Sequence, residues 1–257
     1  MNSELKDFYE TYDENERLGT TNAKKVEFLT TIHFLDNILP PNSKILDVCA
    51  GCGKYAFHLA EQGHEITACD LVQKHVENMK AHKNSGKLKD IRVANALDLS
   101  QFDNNSFDVV LCMGALYHLH DEKDRVKCVE ECLRVLKPGG IFAFAYISRN
   151  SVYITRFADG VPLKECGEIW SEGKAMEVFY CMDFGEHEQL AAKFNLKKIT
   201  DIGVDGLIYP LFEKINSLNA KDFERFMQYH LATCEQPSLI GHSAHGLWIG
   251  KKENNHD

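Results

Sequence analysis

The sequence predicts an α/β protein built on a doubly wound, mostly parallel sheet with helices on both faces. Three observations carry this. Strand-like and helix-like segments alternate through the first 150 residues, and parallel strands joined by helical crossovers are what such alternation builds. The apolar run from Ile45 breaks at Ala50-Gly51-Cys52-Gly53 and resumes at helical spacing, as a tight strand-to-helix turn does. The run Phe107 to Met113 is apolar at nearly every position, the pattern of a strand covered on both faces.

In chain order, Asn22 is placed to cap a helix running to about Leu39, where Pro40 and Pro41 stop it. Ile45 to Cys49 reads as strand one, residues 54 to 62 as a helix, and Ile66 to Cys69 as strand two. The next helix sets Val72, His75, Val76 and Met79 on one face. Lys80, Lys83, Lys87 and Lys89 around its end read as a solvated terminus. Ile91 to Ala94 is the third strand and Phe107 to Met113 the fourth. Asp121 is placed to cap the following helix, with Asp124 in its first turn and Val126, Val129, Leu133 and Leu136 as its buried stripe. Lys137-Pro138-Gly139-Gly140 ends that helix and turns the chain into strand five, Ile141 to Tyr146. Residues 148–184 then read as irregular, with aromatics and several glutamates. A helix at about 186–194, a strand from Leu196 to Ile202, a helix capped by Asn219 and a last strand from Gly246 to Lys251 follow. No repeat or low-complexity linker marks a second domain. Residues 1–257 read as one domain with insertions at 148–184 and 206–240.

The bulk composition narrows the class. The chain has 257 residues, 29 basic against 38 acidic, a net charge of −9. That disfavours wrapping nucleic acid through its phosphates. The start, MNSELKDFYETYDENE, has no apolar core of a signal peptide, and no run is long enough to span a bilayer. The expected setting is therefore cytoplasmic. Nine cysteines do not form a disulfide scaffold in such a chain. Cys49-x-x-Cys52 is the only CxxC and lies inside the glycine turn, and Cys128 and Cys132 stand four apart on a helix. Without a second pair, these read as small buried thiols rather than a metal site.

The glycine turn poses the question of its ligand. Gly51, Gly53 and Ala56 fit the dinucleotide fingerprint G-x-G-x-x-G/A, but any ligand held close to such a turn needs glycines there. Asp70 ends strand two, 17 residues after Gly53; a carboxylate there accepts from both hydroxyls of a ribose, in NAD or in another adenosine ligand alike. Asp47, four residues before Gly51, would repel a pyrophosphate on the helix N-terminus and suit a ligand carrying an ammonium and a sulfonium. A Walker loop fails, because Tyr55 follows Gly53-Lys54 and position 48 is Val.

"ILDVCAGCGKY", "ITACDL", "NALDLSQFDNNSFDVVLCMGALYHL" and "RVLKPGGIFAFAYI" together resemble the ordered motifs of class I S-adenosylmethionine-dependent methyltransferases. The resemblance covers about residues 44 to 147 and is strongest to small bacterial enzymes with "YHL" after strand four; the tail "PSLIGHSAHGLWIGKK" fits as well. It implies a seven-stranded Rossmann-like sheet with the last strand antiparallel, and S-adenosylmethionine as cofactor. It further implies that Ala50, Gly51 and Gly53 contact the methionine part, Asp70 the ribose and Leu71 the adenine. Asn95, Ala96 and Leu97, with Asp98, would border the adenine edge, and Met113 would lie beneath the cofactor. One departure is visible: Cys49 stands where the family turn D-x-G-x-G-x-G has its first glycine, and a positive φ there would strain it.

Methyl transfer from a sulfonium is an in-line displacement, so the protein must align the acceptor and exclude water. A base is needed only for an acceptor that arrives protonated. Tyr117 and His118 after strand four, and Tyr146 and Arg149 after strand five, are the candidates to border the methyl group, with His118 either a base or a loop anchor. His242 and His245 stand three apart at the last strand, short of the partners zinc would need. The segment "DFYETYDENERLGTTNAKKVEFL" carries Phe8, Tyr9, Tyr12 and Leu18 at helical spacing. Residues 1–40 are expected to form a helical lid, with Tyr9 and Tyr12 shielding the sulfonium and Arg17 pairing with the methionine carboxylate; the competing reading is a helix packed elsewhere. Cys49, Cys52, Cys69 and Cys112 are expected to cluster by the cofactor without a metal. The expected partner is a small-molecule methyl acceptor. The alternatives are an NAD(P)-dependent oxidoreductase, an RNA-directed methyltransferase and a non-catalytic adenosyl-ligand binder.

Overall fold

The computed structural model describes residues 5, 8, 9, 11, 12 and 18–254. Leu5, Phe8, Tyr9 and Thr11 have helical backbone. Helix α1, Asn22–Ile38, is capped by Thr21, whose side chain accepts from the Lys24 N–H. The sequence placed that cap one residue later; Asn22 is the first helical residue, and its amide instead donates to the Leu218 carbonyl at 2.9 Å.

The first half alternates as expected: β1 Lys44–Val48, α2 Lys54–Glu61, β2 Glu65–Asp70, α3 Gln73–Ala81, β3 Asp90–Val93, β4 Phe107–Cys112, α4 Glu122–Val135 and β5 Leu136–Ile147. Asp121 precedes α4 but makes no side-chain cap; acidic Glu122 and Asp124 favour its first turn. The turn expected between α4 and strand five is absorbed into β5 as a bulge. Leu136 pairs with Phe107, and Ile141 then pairs with Val109. Gly140 sits where a Cβ would come within 2.8 Å of the Asp108 carbonyl, so only glycine fits the crossing.

Residues 148–184, read as irregular, hold two helices and a hairpin: α5 Arg149–Ala158, α6 Leu163–Glu172, β6 Lys174–Ala175 and β7 Phe179–Tyr180. The punctuation was local and short. Ser148 caps α5 by accepting from Ser151 N–H, and Gly173 ends α6 in the left-handed region. The chain finishes with α7 Glu186–Ala191, β8 Leu196–Gly203, α8 Phe212–Asn216, α9 Ala220–Thr233, α10 Pro237–Ile240 and β9 His245–Lys252. Asn219 caps α9 as expected, accepting from Asp222 N–H.

The seven-stranded sheet has the order β3-β2-β1-β4-β5-β9-β8. The first five strands are mutually parallel, and β9 runs antiparallel to β5 and β8. Alternate residues of each strand feed two cores. Leu46, Val48, Val110, Phe142, Phe144 and Trp248 pack with α4 and α7 on one face. Ile45, Ile66, Val109, Leu111, Ile141 and Ile249 pack with α1, α2 and α3 on the other. The second insertion rests on α1, with Ile208, Ile215 and Met227 against Ala23 and Val26. No helix among the described residues is long and apolar enough to cross a membrane.

Candidate active site

The turn after β1 is built by its own backbone. The Ala50 N–H donates to the Cys69 carbonyl at 2.9 Å and the Gly53 N–H to the Ala50 carbonyl at 2.8 Å. Gly53 starts α2 at φ +81, and a Cβ there would sit 2.9 Å from Met79 Cγ. Its place is structural, behind the turn rather than on the cleft surface. Cys49 adopts φ +67, the left-handed conformation whose strain the missing glycine foretold. Such a conformation costs a non-glycine residue about 1–2 kcal/mol. Cys49→Gly is therefore expected to be more stable than Cys49→Ala by about 1 kcal/mol, although glycine is the more flexible residue when unfolded. Urea titration of both variants checks this, and an alanine variant equal to or better than glycine would show that no strain is stored there.

A cleft of about 600 Å³ opens over this turn at the carboxyl ends of the parallel strands. It gathers Asp47, Ala50, Gly51, Asp70, Leu71, Asn95, Ala96, Leu97, Met113, Tyr117 and His118, eleven of the residues singled out from sequence. Asp70 is a structural hub as well as a lining residue. Its Oδ2 accepts from the Gly51 N–H and its Oδ1 from the Val72 N–H, both at 2.8 Å, and His75 Nδ1 lies 3.2 Å from Oδ1. Asp70 thus ties the glycine turn to the start of α3. Oδ1 already has two nitrogens against it, so the lone pair left for a further donor is the second one on Oδ2.

Asp47 is 1% exposed, and its Oδ2 has no hydrogen-bond partner. Burial, reinforced by the charge of Asp70, pushes its carboxyl up to about 7. An unpartnered buried carboxylate at the bottom of a cleft calls for a cation. The Gly51 N–H, which a pyrophosphate would need, is already given to Asp70. Among the described lining residues, Asp47, Asp70, Asp121 and Asp124 face a single lysine, Lys54. These features fit S-adenosylmethionine, with its sulfonium and ammonium, and disfavour a dinucleotide.

Some expected residues lie elsewhere. Asp98 is exposed in a turn, where its Oδ1 accepts from Ser100 N–H; the Ser100 hydroxyl and then that N–H hold its carboxyl below the usual range. Neighbouring Asn95 shapes the same bend by accepting from Leu97 N–H at 3.0 Å. Tyr12 stacks on Phe8 at 5.4 Å and lines a second cavity rather than this cleft. Arg17 lies outside the described residues. Tyr146 turns to the opposite face of the sheet: its hydroxyl donates to Asp201 at 3.0 Å and its ring stacks on His187 at 4.1 Å. Arg149 is held by the first insertion, donating to the Cys181 and Trp170 carbonyls. Cys49 and Cys52 line the cleft, but Cys69 and Cys112 do not. They are buried, and Cys112 meets Cys128 at 3.7 Å beneath α4. Burial pushes the Cys69 thiol up, so it stays protonated.

His118 has both ring nitrogens engaged. Nδ1 lies 2.9 Å from the Val178 carbonyl, so it carries the proton, and Nε2 lies 2.9 Å from the Tyr9 hydroxyl, which donates to it. His118 therefore joins the N-terminal segment to the hairpin of the first insertion. Tyr117 donates its hydroxyl to the Met113 carbonyl at 3.0 Å. Tyr9 and Tyr117 line the cleft and also a second cavity of about 420 Å³. That cavity is walled by Phe8, Tyr12, Phe179, Tyr209 and Phe212, with Glu27 and His245 among its polar groups. Sequence reasoning missed His75, which lines the cleft with its Nε2 unpartnered. It read only as one of four apolar-face positions; its place five residues after Asp70 was the available signal.

A doubly wound sheet in this strand order, with an acid-lined cleft at its carboxyl edge, defines the class I methyltransferase architecture. A family profile described as a methyltransferase domain matches residues 46–144. The ubiquinone biosynthesis O-methyltransferase of Xanthomonas axonopodis pv. citri is 33% identical over 213 residues, 82% of this chain and 83% of that enzyme. The enzyme of the same name from Idiomarina loihiensis is 35% identical over 108 residues, and the match spans 42% of this chain and 43% of that enzyme. A solved S-adenosylmethionine-dependent methyltransferase from Methanosarcina mazei superimposes with a TM-score of 0.58 at 20% identity, covering 86% of this chain and 97% of that one. The chain belongs to the class I S-adenosylmethionine-dependent methyltransferases, and S-adenosylmethionine is its cofactor.

Proposed function

We propose that this methyltransferase acts on a small aromatic molecule and methylates its hydroxyl. The observation that carries this is the second cavity, which among the described residues shares Tyr9 and Tyr117 with the cleft and is walled by aromatic rings. A planar acceptor packs against such walls. The matched relatives are named O-methyltransferases, which supports oxygen as the atom methylated.

When bound, S-adenosylmethionine supplies a methyl group already activated by the sulfonium charge. The protein's own work is binding, alignment and exclusion of water. Asp70 accepts from a ribose hydroxyl through the remaining lone pair of Oδ2. Leu71 packs on the adenine, and Asn95, Ala96 and Leu97 border its edge. Ala50 and Gly51 approach the methionine part, Asp47 faces its cationic end, and Met113 closes the floor. Gly53 acts by shaping the turn. Tyr9, tied to His118, covers the junction where methyl group and acceptor meet, so His118 serves to hold the cover. Phe8, Tyr9 and Tyr12, with α1 and the two insertions, enclose the acceptor.

The test is binding followed by turnover. S-adenosylmethionine is expected to bind in the micromolar range and raise the melting temperature, with no shift from NAD(H). Methylation of 4-nitrocatechol should follow, read as S-adenosylhomocysteine release. Stabilisation by NAD(H) alone would overturn the reading. Tight cofactor binding with turnover only on amines would replace the aromatic hydroxyl with nitrogen.

A further inference from the structure

The second cavity is walled mostly by rings and aliphatic side chains, yet two cations enter it from different elements. Lys24 comes from the first turn of α1 and Arg156 from the last turn of α5. Both residues are partly buried. Among the described residues, neither head group meets a hydrogen-bond acceptor or a carboxylate. Arg149 on the same helix is a contrast: it donates to two carbonyls and lies 3.6 Å from Asp183. Taking a charge partly out of water without a partner is unfavourable. Two such cations on one cavity wall call for an anion from outside the chain.

Helix α5 sets the spacing. Val152, Thr155, Arg156 and Asp159 all line the cavity, and their i, i+3, i+4, i+7 spacing puts them on one helix face. Val152 packs against the cluster that holds Tyr117 and Ile147, and Tyr117 borders the cofactor cleft. Arg156 stands one turn further on, about 6 Å along the helix. A benzene ring with a hydroxyl at the Tyr117 end therefore brings its far substituent within reach of the guanidinium. Two carboxylates line the cavity as well. Glu27 faces another part of the wall: its carboxylate, an Asp205 oxygen and a His245 ring nitrogen lie within 4.8 Å of one another, and Asp205 Oδ2 lies 2.6 Å from His245 Nδ1. Asp159 is exposed at the end of α5, where solvent and salt screen it.

We propose that the methyl acceptor is an aromatic hydroxy acid and that Arg156 and Lys24 hold its carboxylate. This rests on the aromatic-hydroxyl reading above and adds the acid group to it. Arg156 offers a planar fork that donates two parallel N–H bonds to one carboxylate, and Lys24 adds a point charge from the facing helix. The ring lies against the aromatic walls with its hydroxyl turned toward the cleft. Selection is by charge: a neutral ring of the same shape displaces water from both cations and leaves them unanswered.

The experiment uses the full chain, saturating S-adenosylmethionine and acceptors that share one catechol ring. These are 3,4-dihydroxybenzoate, its neutral amide 3,4-dihydroxybenzamide and the cationic 3,4-dihydroxybenzylamine. Turnover is read as S-adenosylhomocysteine release, and calorimetry of cofactor binding reports that each variant is folded. In wild type, kcat/KM for the acid is expected to exceed that for the amide about tenfold or more, mainly through KM, because the carboxylate binds away from the reacting atoms. The amine should be the poorest acceptor. Arg156→Gln is expected to lower the acid-to-amide ratio about tenfold and Lys24→Gln about threefold, since the fork makes two bonds and the ammonium acts as a single charge. A merely structural loss would slow all acceptors alike and leave the ratio in place. An acid no better than the amide in wild type, a preference for the amine, or a ratio unmoved in both variants overturns the carboxylate site and leaves the aromatic-hydroxyl reading standing. A wild type that binds the cofactor yet methylates neither these acceptors nor 4-nitrocatechol overturns both.

Discussion

Asp70→Ala is expected to lose at least tenfold in affinity for S-adenosylmethionine and to melt at a lower temperature than wild type. The first effect follows from a ribose hydroxyl donating to the open lone pair of Oδ2, a bond to a charged acceptor contributing about 1.5–3 kcal/mol. The second follows from bonds the sequence could not show. Without the carboxylate, the N–H groups of Gly51 and Val72 lose their acceptors. A buried donor left unsatisfied costs about 1–3 kcal/mol, and about 2–4 °C per kcal/mol is expected for a chain this long. Asn is not a mild replacement, because its amide would point an N–H at one of those two donors. Calorimetry of cofactor binding and a thermal melt of the unliganded variant measure the two effects separately. Unchanged affinity would remove Asp70 from the ribose site, and an unchanged melt would mean that the turn holds its shape without it.

The cleft at the carboxyl edge was legible because the residues that line it follow strand ends that the hydrophobic pattern locates. Asp47, Gly51, Asp70 and Met113 are fixed once β1, β2 and β4 are placed in a parallel sheet, since such sheets bind at their carboxyl edge. The Cys49 strain was legible for the same reason: the turn geometry dictates φ there, whatever residue occupies it. Tyr146 failed because strand-end position alone does not say which face a side chain takes. Its neighbours Ala145 and Ile147 point to the cleft side, and period 2 sends Tyr146 to the other.

The second cavity, the proposed acceptor site, was not legible. Its walls come from the N-terminal segment, α1, the first insertion and the loop after β8, joined only by tertiary packing. Helices α5 and α6 bury few residues each but carry a clear amphipathic pattern, which the reading of 148–184 as irregular passed over. Asp205 and His245 stand forty residues apart with no motif between them. Only the antiparallel pairing of β8 with β9, which sets Gly203 against Gly246, brings them together.

Cofactor affinity is also expected to rise steeply with pH below neutrality, on account of Asp47. Burial raises its carboxyl from 3.8 to about 7, so the unliganded native state keeps a proton that the unfolded chain gives up. Between about pH 4 and 7 this group therefore makes native stability fall as pH rises, by at most about 4 kcal/mol at 1.36 kcal/mol per pH unit. Glu131 works in a separate window. The Arg134 guanidinium beside it holds it down at about 2, so its stabilisation is lost only as pH falls from the ordinary carboxylate range toward 2. A cation placed over Asp47 selects the ionised form and expels the proton. With a carboxyl at about 7, the ionised fraction rises roughly fifteenfold from pH 5.5 to 7.0, and the dissociation constant should fall by about that factor. The ligand's amino group, an α-amine, stays protonated across this range. Calorimetry in buffers of different ionisation enthalpy should show nearly one proton released per cofactor bound at pH 5.5. Asp47→Asn should bind weakly, release no proton and show no rise in affinity over this interval, while its unliganded form gains stability above pH 7. Equal affinity at both pH values in the wild type, with no proton released, would show that the buried carboxylate does not face the cation.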